Sequence, residues 1–189
     1  MANEFVSWID ITVPLHMGME VYPGDAPFQM TCEWNGMYRL STVTMSVHSG
    51  THVDAPSHFY EDGASVDMMA YEVMNGPARV VSSARMRDIT PNDRRVLIKS
   101  KRGLSLREAD CLLSTGVVLI GVEGLSVGRE NEIAEVHKKL LSSGVVILEN
   151  IAIAAVEDGV YHLNCLPMLI CGAEGAPARA YIKKMSAQV

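Results

Sequence analysis

The chain has 189 residues, the length of one ordinary domain, and no linker or repeat divides it, so we expect a single domain over 1–189. A composition of 48% hydrophobic and 20% charged residues is typical of a globular protein and excludes an intrinsically disordered one. The net charge of −6 disfavours proteins that bind nucleic acid by neutralising its phosphates.

The N-terminal segment has no recognisable targeting pattern. Residues 1–10, MANEFVSWID, lack the basic start and the apolar stretch of a signal peptide. No apolar run in the chain reaches the roughly 18 residues that cross a bilayer. The four cysteines have no short regular spacing, so they indicate neither a C-x-x-C zinc site nor a disulfide framework. We expect a cytoplasmic protein with reduced thiols and without a membrane or nucleic-acid partner.

The first third of the chain predicts β-structure. We expect strands over residues 6–13 and 28–34, separated by a loop at 21–27 whose two prolines cannot donate ladder hydrogen bonds. From 38 to 48 polar and apolar residues alternate, which indicates a strand with one face on the core and a polar face that ends at His48. The apolar face of this strand consists of Val43, Met45 and Val47.

Strands with a few helices between them are predicted for the rest of the chain. Continuous apolar runs at 116–122 and 145–148 indicate strands buried on both faces, and helical spacing of apolar residues indicates a helix at 130–141. We expect an α/β fold, or the related α+β arrangement, with a mixed, barrel-like sheet and flanking helices. The other predicted elements are strands at 79–83, 95–100, 160–170 and 178–184 and a helix at 106–113.

Three of the six histidines and one aspartate fall within the eleven-residue segment HSGTHVDAPSH at 48–58. All four occupy even positions, so in an extended chain their side chains would point to one side. Imidazole nitrogen and carboxylate oxygen together suit zinc or a similar divalent transition metal, and three protein ligands leave one position open, as in catalytic zinc sites. The segment therefore predicts a metal site with the candidate ligands His48, His52 and Asp54.

A bend is needed to bring these side chains to one cation. A fully extended chain would separate the Cα atoms of His48 and His52 by roughly 13 Å, which two imidazoles could barely span. Gly50 lies midway, where a kink costs little, and Pro56 prevents a ladder strand or a regular helix from continuing. We therefore expect the chain to fold sharply at Gly50.

Two roles are open for His58. It could be a further metal ligand, or it could lie over the site as a free acid or base, since Pro56 separates it from Asp54. An imidazole near its ordinary pKa of about 6.5 is suited to proton transfer at neutral pH, and this favours the acid/base role.

The pattern H-x-G-T-H-x-D-x-P-x-H at 48–58 resembles the signature of the metal-dependent cyclase-like hydrolase family, whose members include bacterial kynurenine formamidase (arylformamidase) and isatin hydrolase. Every fixed position of that signature is present. The resemblance covers most of the chain, because four further segments are similar to family segments and occur in the same order. They are 8–15, 22–25, 137–149 and 161–180.

The resemblance implies a fold of the swivelling β/β/α type, a homodimer or larger assembly, and a site for two zinc ions, with manganese as the alternative. It assigns the acid/base role to His58 and substrate contacts to the segments that contain Tyr22 and Ser126. The metal ligands that it implies are His48, His52, Asp54, His137 and Glu149.

The activity implied by the resemblance is that of a metal-dependent amide hydrolase, with N-formylkynurenine as the first small-molecule substrate to consider. The chain departs from the family pattern near the expected substrate site. Glu123 replaces an aspartate, Glu174 begins an EGAP segment that lacks the usual serine, and Tyr22 stands where a tryptophan is common. A cyclic amide, imide or lactone is therefore the alternative substrate.

Two other functions compete with this interpretation. The segment GLSVG at 124–128 matches the nucleophile elbow of serine hydrolases, for which Asp158 and His162 would have to complete the triad. A non-catalytic binding module is the second competitor, in which His58 would close a structural zinc site as the fourth ligand.

Overall fold

The computed structural model describes residues 7–185 and shows eleven strands and two α-helices in that range. The strands are β1 (Ile9–Asp10), β2 (Gln29–Trp34), β3 (Arg39–Thr44), β4 (His52–Asp54), β5 (Asn75–Ser82), β6 (Arg95–Lys99), β7 (Leu119–Val122), β8 (Val146–Glu149), β9 (Gly159–Asn164), β10 (Gly175–Pro177) and β11 (Tyr181–Lys184). The helices are α1 (Leu106–Ser114) and α2 (Ile133–Ser142).

Nine of the strands form one curled sheet in the order β1-β11-β9-β5-β6-β7-β8-β4-β10. The four strands from β5 to β8 run parallel where they are neighbours, and the flanking pairs are antiparallel. One apolar cluster covers one face of this sheet, and a second lies between the other face and the two helices. The predicted α/β fold with a mixed, barrel-like sheet and flanking helices is therefore confirmed.

The central elements follow the sequence pattern closely. The apolar runs at 116–122 and 145–148 become β7 and β8, in which every residue is buried, as a strand covered on both faces requires. The predicted helix at 106–113 is α1, and α2 begins three residues later than predicted because residues 130–132 form a turn.

Two predicted strands are shorter than expected. The strand at 6–13 is reduced to Ile9–Asp10, because the Asp10 carboxylate accepts a hydrogen bond from the backbone N–H of Thr12 and diverts it from the ladder; residue 6 lies outside the described range. The strand at 160–170 ends at Asn164, and beyond it Pro167 forms an isolated antiparallel bridge with Ala178.

The prediction that the strand at 38–48 packs on the core is wrong. Within residues 7–185, strand β3 pairs only with β2, and the two form a separate two-stranded sheet. All residues of both strands are exposed, and Val43 retains 47% of its accessible surface. The alternation at 38–48 therefore describes a hairpin with one apolar face, and this face does not contact the core of the described chain.

The described residues contain no helix with the length and apolarity needed to cross a membrane.

Candidate metal centre

The short strand β4 positions the first two candidate ligands. It lies between β8 and β10, and its register places His52 opposite Glu149 and Asp54 opposite Gly175. Because side chains alternate along a strand, His52 and Asp54 lie on the same face. The carboxylate of Glu149 approaches this face from the end of β8, with Oε2 3.4 Å from His52 Nε2.

The predicted fold at Gly50 brings His48 back to the same point. Gly50 has a φ of +64°, a left-handed conformation that favours glycine, and its backbone packs closely against Leu15. As a result, His48 Nδ1 lies 2.9 Å from Asp54 Oδ1. The convergence of His48, His52 and Asp54 is thus a feature of the structure, as the sequence predicted.

Helix α2 brings His137 to the cluster. His137 Nε2 lies 3.2 Å from Glu149 Oε1 and 3.6 Å from Asp54 Oδ2. The helix packs against the sheet through Val136 and Leu140 on the same side of the helix, and both are fully buried. His137 and Glu149 were singled out in the sequence only through the family resemblance, and the structure places both beside His52 and Asp54.

Backbone carbonyl groups fix the tautomers of two of the histidines. His52 Nδ1 donates a hydrogen bond to the carbonyl oxygen of Gly50 at 3.0 Å, and His137 Nδ1 donates one to that of Ile133 at 2.7 Å. The other nitrogen of each ring, Nε2, faces the two carboxylates. This arrangement is common for histidines that bind metals through Nε2.

The cluster is buried and strongly coupled. His52, Asp54, His137 and Glu149 each retain 4% or less of their accessible surface. Burial alone would lower the pKa of His52 and of His137, but the neighbouring carboxylates of Asp54 and Glu149 outweigh it and raise the pKa of each imidazole to about 10. Burial would raise the pKa of Asp54, yet hydrogen bonds from the surrounding histidines hold it well below its usual range.

The donor set fits a divalent cation. His52 Nε2 and Asp54 Oδ2 are buried without a hydrogen-bond partner, which is costly unless another charged group satisfies them. In each of two groups of three residues, the possible ligand atoms lie within 4.8 Å of one another, and Asp54 belongs to both groups. Nitrogen and carboxylate oxygen are the donors that zinc and related metals prefer. The two groups are His48–Asp54–His58 and His52–Asp54–Glu149.

His58 lies above the cluster on a short 3-10 turn, Pro56–His58. Its ring centroid is 4.2 Å from that of His48 and 5.8 Å from that of His137. Partial burial lowers the pKa of His58, which keeps the imidazole neutral at pH 7. This position lets the ring reach a molecule that lies over the ligands.

A cavity of about 230 Å³ opens onto the cluster. Tyr22 and Ser126, which the sequence placed near the substrate, both lie in its wall. Sequence reasoning missed several wall residues, although two of them adjoin recognised motifs: Asp25 ends the YPGD segment and Phe59 follows His58. The wall residues that were missed are Asp25, Phe59, Leu125 and Ile133.

Besides Tyr22, two residues depart from the family pattern, and they differ in their relation to the site. Glu174 Oε1 lies 3.7 Å from His48 Nε2, so this carboxylate stands at the edge of the cluster. Glu123 lines a neighbouring surface pocket together with Lys101 and Arg129. Only Glu174 therefore lies beside a candidate ligand.

The serine-hydrolase arrangement is not formed. Ser126 Oγ is buried without a hydrogen-bond partner among the described residues. Asp158 instead pairs with Lys99 at 2.6 Å, and His162 Nε2 lies 3.0 Å from Asn75 Oδ1. Neither residue is therefore available to activate Ser126.

Comparisons with known proteins agree with this site. A family profile described as "Putative cyclase" matches residues 9–99, which include the 48–58 motif. The kynurenine formamidase of Bacillus cytotoxicus is 36% identical, with 94% of this chain and 98% of the relative covered. A solved structure described as a potential metal-dependent hydrolase with cyclase activity superposes with a TM-score of 0.83 at 27% identity, covering 95% of this chain and 98% of the other. Isatin hydrolase A from Labrenzia aggregata, 18% identical with a TM-score of 0.77, covers 95% of this chain and 94% of its own, and shares the fold.

Proposed function

The chain belongs to the cyclase family of metal-dependent hydrolases, which includes the bacterial kynurenine formamidases, and we propose that it is an arylformamidase that hydrolyses N-formylkynurenine to kynurenine and formate. The observation that carries this proposal is the buried cluster with its orphaned His52 Nε2 and Asp54 Oδ2 at the base of an open cavity. A structural metal site would be closed by its ligands, so the cavity favours catalysis over a binding module.

The proposed cofactor is a pair of zinc ions, with manganese as the alternative, because both metals accept nitrogen and carboxylate ligands. The two ligand groups support a pair of sites that share Asp54, with His137 beside the second group. When bound, zinc would lower the pKa of water toward 7 and polarise a carbonyl oxygen. The proposed ligands are His48, His52, Asp54, His137 and Glu149.

Side chains of the cavity would bind the substrate and transfer the proton. Tyr22 and Phe59, on the cavity wall, would hold an aromatic ring, since stacked or edge-on ring pairs are favourable. His58 is neutral at pH 7, so it can accept a proton from water as that water adds to the formyl carbon. When the C–N bond breaks, the same imidazole returns the proton to the departing amine nitrogen, and formate remains as the second product.

An assay with chelation tests this proposal. The purified protein should hydrolyse N-formylkynurenine, lose the activity on dialysis against a chelator, and regain it with zinc or manganese. The control is the variant His16→Ala, which should keep the activity and its response to the chelator. His16 is exposed, and among residues 7–185 its ring forms a hydrogen bond only with the carbonyl oxygen of the neighbouring Met17. Activity that survives complete metal removal would contradict the proposal.

A second substrate class belongs in the same assay. Glu174 beside His48 and Tyr22 in the cavity wall both depart from the usual pattern of the family, and these departures favour testing a cyclic amide, imide or lactone. Ring opening by water would use the same ligands and the same proton transfer by His58. If kcat/KM is higher for the cyclic compound than for N-formylkynurenine, the proposed substrate changes to the cyclic compound. The hydrolytic site then remains as proposed.

The remaining partner that we propose is a second copy of the chain, since the family resemblance implies a homodimer.

A further inference from the structure

The surface pocket that contains Glu123 and Lys101, here called the neighbouring pocket, adjoins the cavity of the metal centre. It has a volume of about 710 Å³, whereas the metal-centre cavity has about 230 Å³. Sites that enclose a small-molecule ligand usually measure roughly 300–1,000 Å³, so the metal-centre cavity alone is too small for an aromatic amino-acid derivative. The rest of such a substrate must lie beyond that cavity. Four residues belong to the walls of both: Tyr22, Leu125, Ser126 and Ile133.

The neighbouring pocket lies beyond the carboxyl ends of three parallel strands. The segments that follow β6, β7 and β8 contribute Lys101, Glu123 and Asn150 to its wall. The backbone N–H of Glu123 donates a hydrogen bond to the carbonyl oxygen of Ser100 at 3.2 Å, and that of Asn150 donates one to Gly124 at 2.9 Å, so the three strand ends are fixed to one another. Sheets with parallel strands bind their ligands at this edge. The last residue of β8 is a proposed metal ligand, so one edge of the sheet carries both the metal centre and the neighbouring pocket.

The neighbouring pocket presents charges of both signs. Two of its cations are already paired, because Arg102 and Arg129 bind the carboxylate of Glu108 at 2.5 Å and 2.7 Å. Among residues 7–185 no ion pair involves Lys101 or Glu123. The ends of β6 and β7 therefore offer a ligand one unpaired ammonium group and one unpaired carboxylate. The charged residues of the pocket are Lys101, Arg102, Arg129, Glu20, Glu123 and Glu130.

A buried hydroxyl group at the shared wall also lacks a partner. Ser126 Oγ forms no hydrogen bond within the described part of the chain, although it is shielded from solvent. A buried polar group of this kind is costly unless another molecule satisfies it. Because Ser126 belongs to both walls, a substrate that extends from one cavity into the other would pass this hydroxyl group.

We propose that the neighbouring pocket binds the zwitterionic α-amino-acid end of the substrate, with Lys101 facing its carboxylate and Glu123 facing its ammonium group, while the formamide lies at the metal centre. This inference rests on the proposed arylformamidase function and identifies the residues that select the substrate. A zwitterion carries one charge of each sign and so matches the unpaired ammonium and carboxylate of the pocket. A neutral aryl formamide gains nothing from either group, so Lys101 and Glu123 distinguish the two kinds of substrate.

The test compares the kinetics of the metal-loaded enzyme on N-formylkynurenine and on formanilide, a neutral aryl formamide without the amino-acid end. In the double variant Lys101→Met/Glu123→Gln, KM for N-formylkynurenine should rise about tenfold while kcat stays near the wild-type value, because the lost contacts hold the substrate and the transition state equally. The value of kcat/KM for formanilide should not change.

Two controls accompany the double variant. Lys183→Met removes a lysine of β11 that lines neither cavity, so KM should stay at the wild-type value for both substrates. Added salt should raise the wild-type KM for N-formylkynurenine and have less effect on the double variant, because salt screens contacts between partly exposed charges. If the double variant does not hydrolyse formanilide, the single variant Lys101→Met decides, since this exposed side chain contributes little to the fold.

The outcomes separate this inference from the function on which it rests. An unchanged KM for N-formylkynurenine in the variants, or an equal loss of kcat/KM on both substrates in Lys101→Met, would overturn the role of the neighbouring pocket and leave the arylformamidase function standing. A wild type that hydrolyses formanilide with a higher kcat/KM than N-formylkynurenine would also overturn that role. A metal-loaded wild type that hydrolyses neither compound would overturn both the function and the inference.

Discussion

Hydrogen bonds to the backbone fix the orientation of single side chains in the cluster. His52 and His137 each give the Nδ1 proton to a backbone carbonyl, so neither ring can turn its Nε2 away from the carboxylates without losing a hydrogen bond. Glu149 Oε1 also accepts a hydrogen bond of 2.6 Å from the backbone N–H of Val127. The donor atoms are thus oriented by the fold before any cation binds, which lowers the entropic cost of binding.

The variant His58→Ala separates metal binding from proton transfer. If the imidazole is the acid and base, turnover of N-formylkynurenine should fall by roughly 10²- to 10⁴-fold, the usual contribution of such a group. The metal content, measured by elemental analysis, should stay near that of the wild type because five other ligands remain. A variant that loses metal in proportion to activity would make His58 a ligand and remove its proposed role.

The variant Gly50→Ala tests the bend that brings His48 to Asp54. A Cβ there would lie 2.8 Å from Leu15 Cδ2, in addition to the cost of a left-handed alanine. We expect a loss of bound metal and a decrease of roughly 1–3 kcal/mol in the free energy of unfolding.

Gly116→Ala is the matched control for this variant. Gly116 has a similar positive φ of +79°, but an added Cβ would lie in open space. Alanine there should therefore cost only the energy of the left-handed backbone, and the variant should keep its metal. Equal metal content in the two variants would show that the bend at Gly50 does not position the ligands.

At the scale of secondary-structure elements, the start of α1 is connected to the cavity wall through one carboxylate. Glu108 forms a capping box with Ser105 and also pairs with Arg129, which follows the wall segment that contains Ser126. Burial would raise the pKa of Glu108, but hydrogen bonds from Ser105 and the guanidinium of Arg102 outweigh it and lower the pKa to about 2.

This lowered pKa predicts a pH-dependent stability difference for Glu108→Gln. Because the folded pKa lies below the unfolded value of about 4.3, the charge stabilises the fold above pH 4.3, and this stabilisation is lost as pH falls toward 2. Chemical denaturation at pH 7 should show a loss of about 1 kcal/mol for a partly exposed group of this kind. The loss should disappear near pH 2, and a loss that is equal at both pH values would contradict the assignment.

Sequence patterns were sufficient to predict some of the secondary-structure elements. The segments that became β7, β8 and α1 follow rules of local spacing, so their burial could be predicted. Strand β4 has three residues, too few for a pattern to be read, although it carries His52 and Asp54. The alternation at 38–48 predicted a strand correctly, but it could not indicate whether that strand packs on the core, and every residue of β3 is exposed.

At the scale of the whole molecule, the cluster joins parts of the chain that are far apart in sequence. His48, His52 and Asp54 could be predicted as one group because a single bend brings them together. His137 and Glu149 join them only through the packing of α2 on the sheet and the pairing of β8 with β4. No local spacing encodes that pairing, so the residues alone did not point to it.

Metal removal should therefore destabilise the whole fold. A cation that binds only the folded chain stabilises it by about 2.7 kcal/mol at a free concentration of 100 Kd. For a chain of this size that corresponds to a fall in Tm of roughly 5–10 °C when a chelator is added. The Tm of Asp54→Asn, which lacks the shared ligand, should not respond to the chelator. An unchanged wild-type Tm would argue against a cation in the cluster.

The most direct test of the central claim is the divalent metal content of purified wild type and Asp54→Asn, measured by elemental analysis on the samples used for the N-formylkynurenine assay. Asp54 belongs to both ligand groups, and asparagine keeps its size while removing the charge. The account predicts at least one divalent cation per wild-type chain together with turnover, and neither in the variant. A wild type that turns over without metal, or an Asp54→Asn protein that keeps its full metal content and activity, would contradict it.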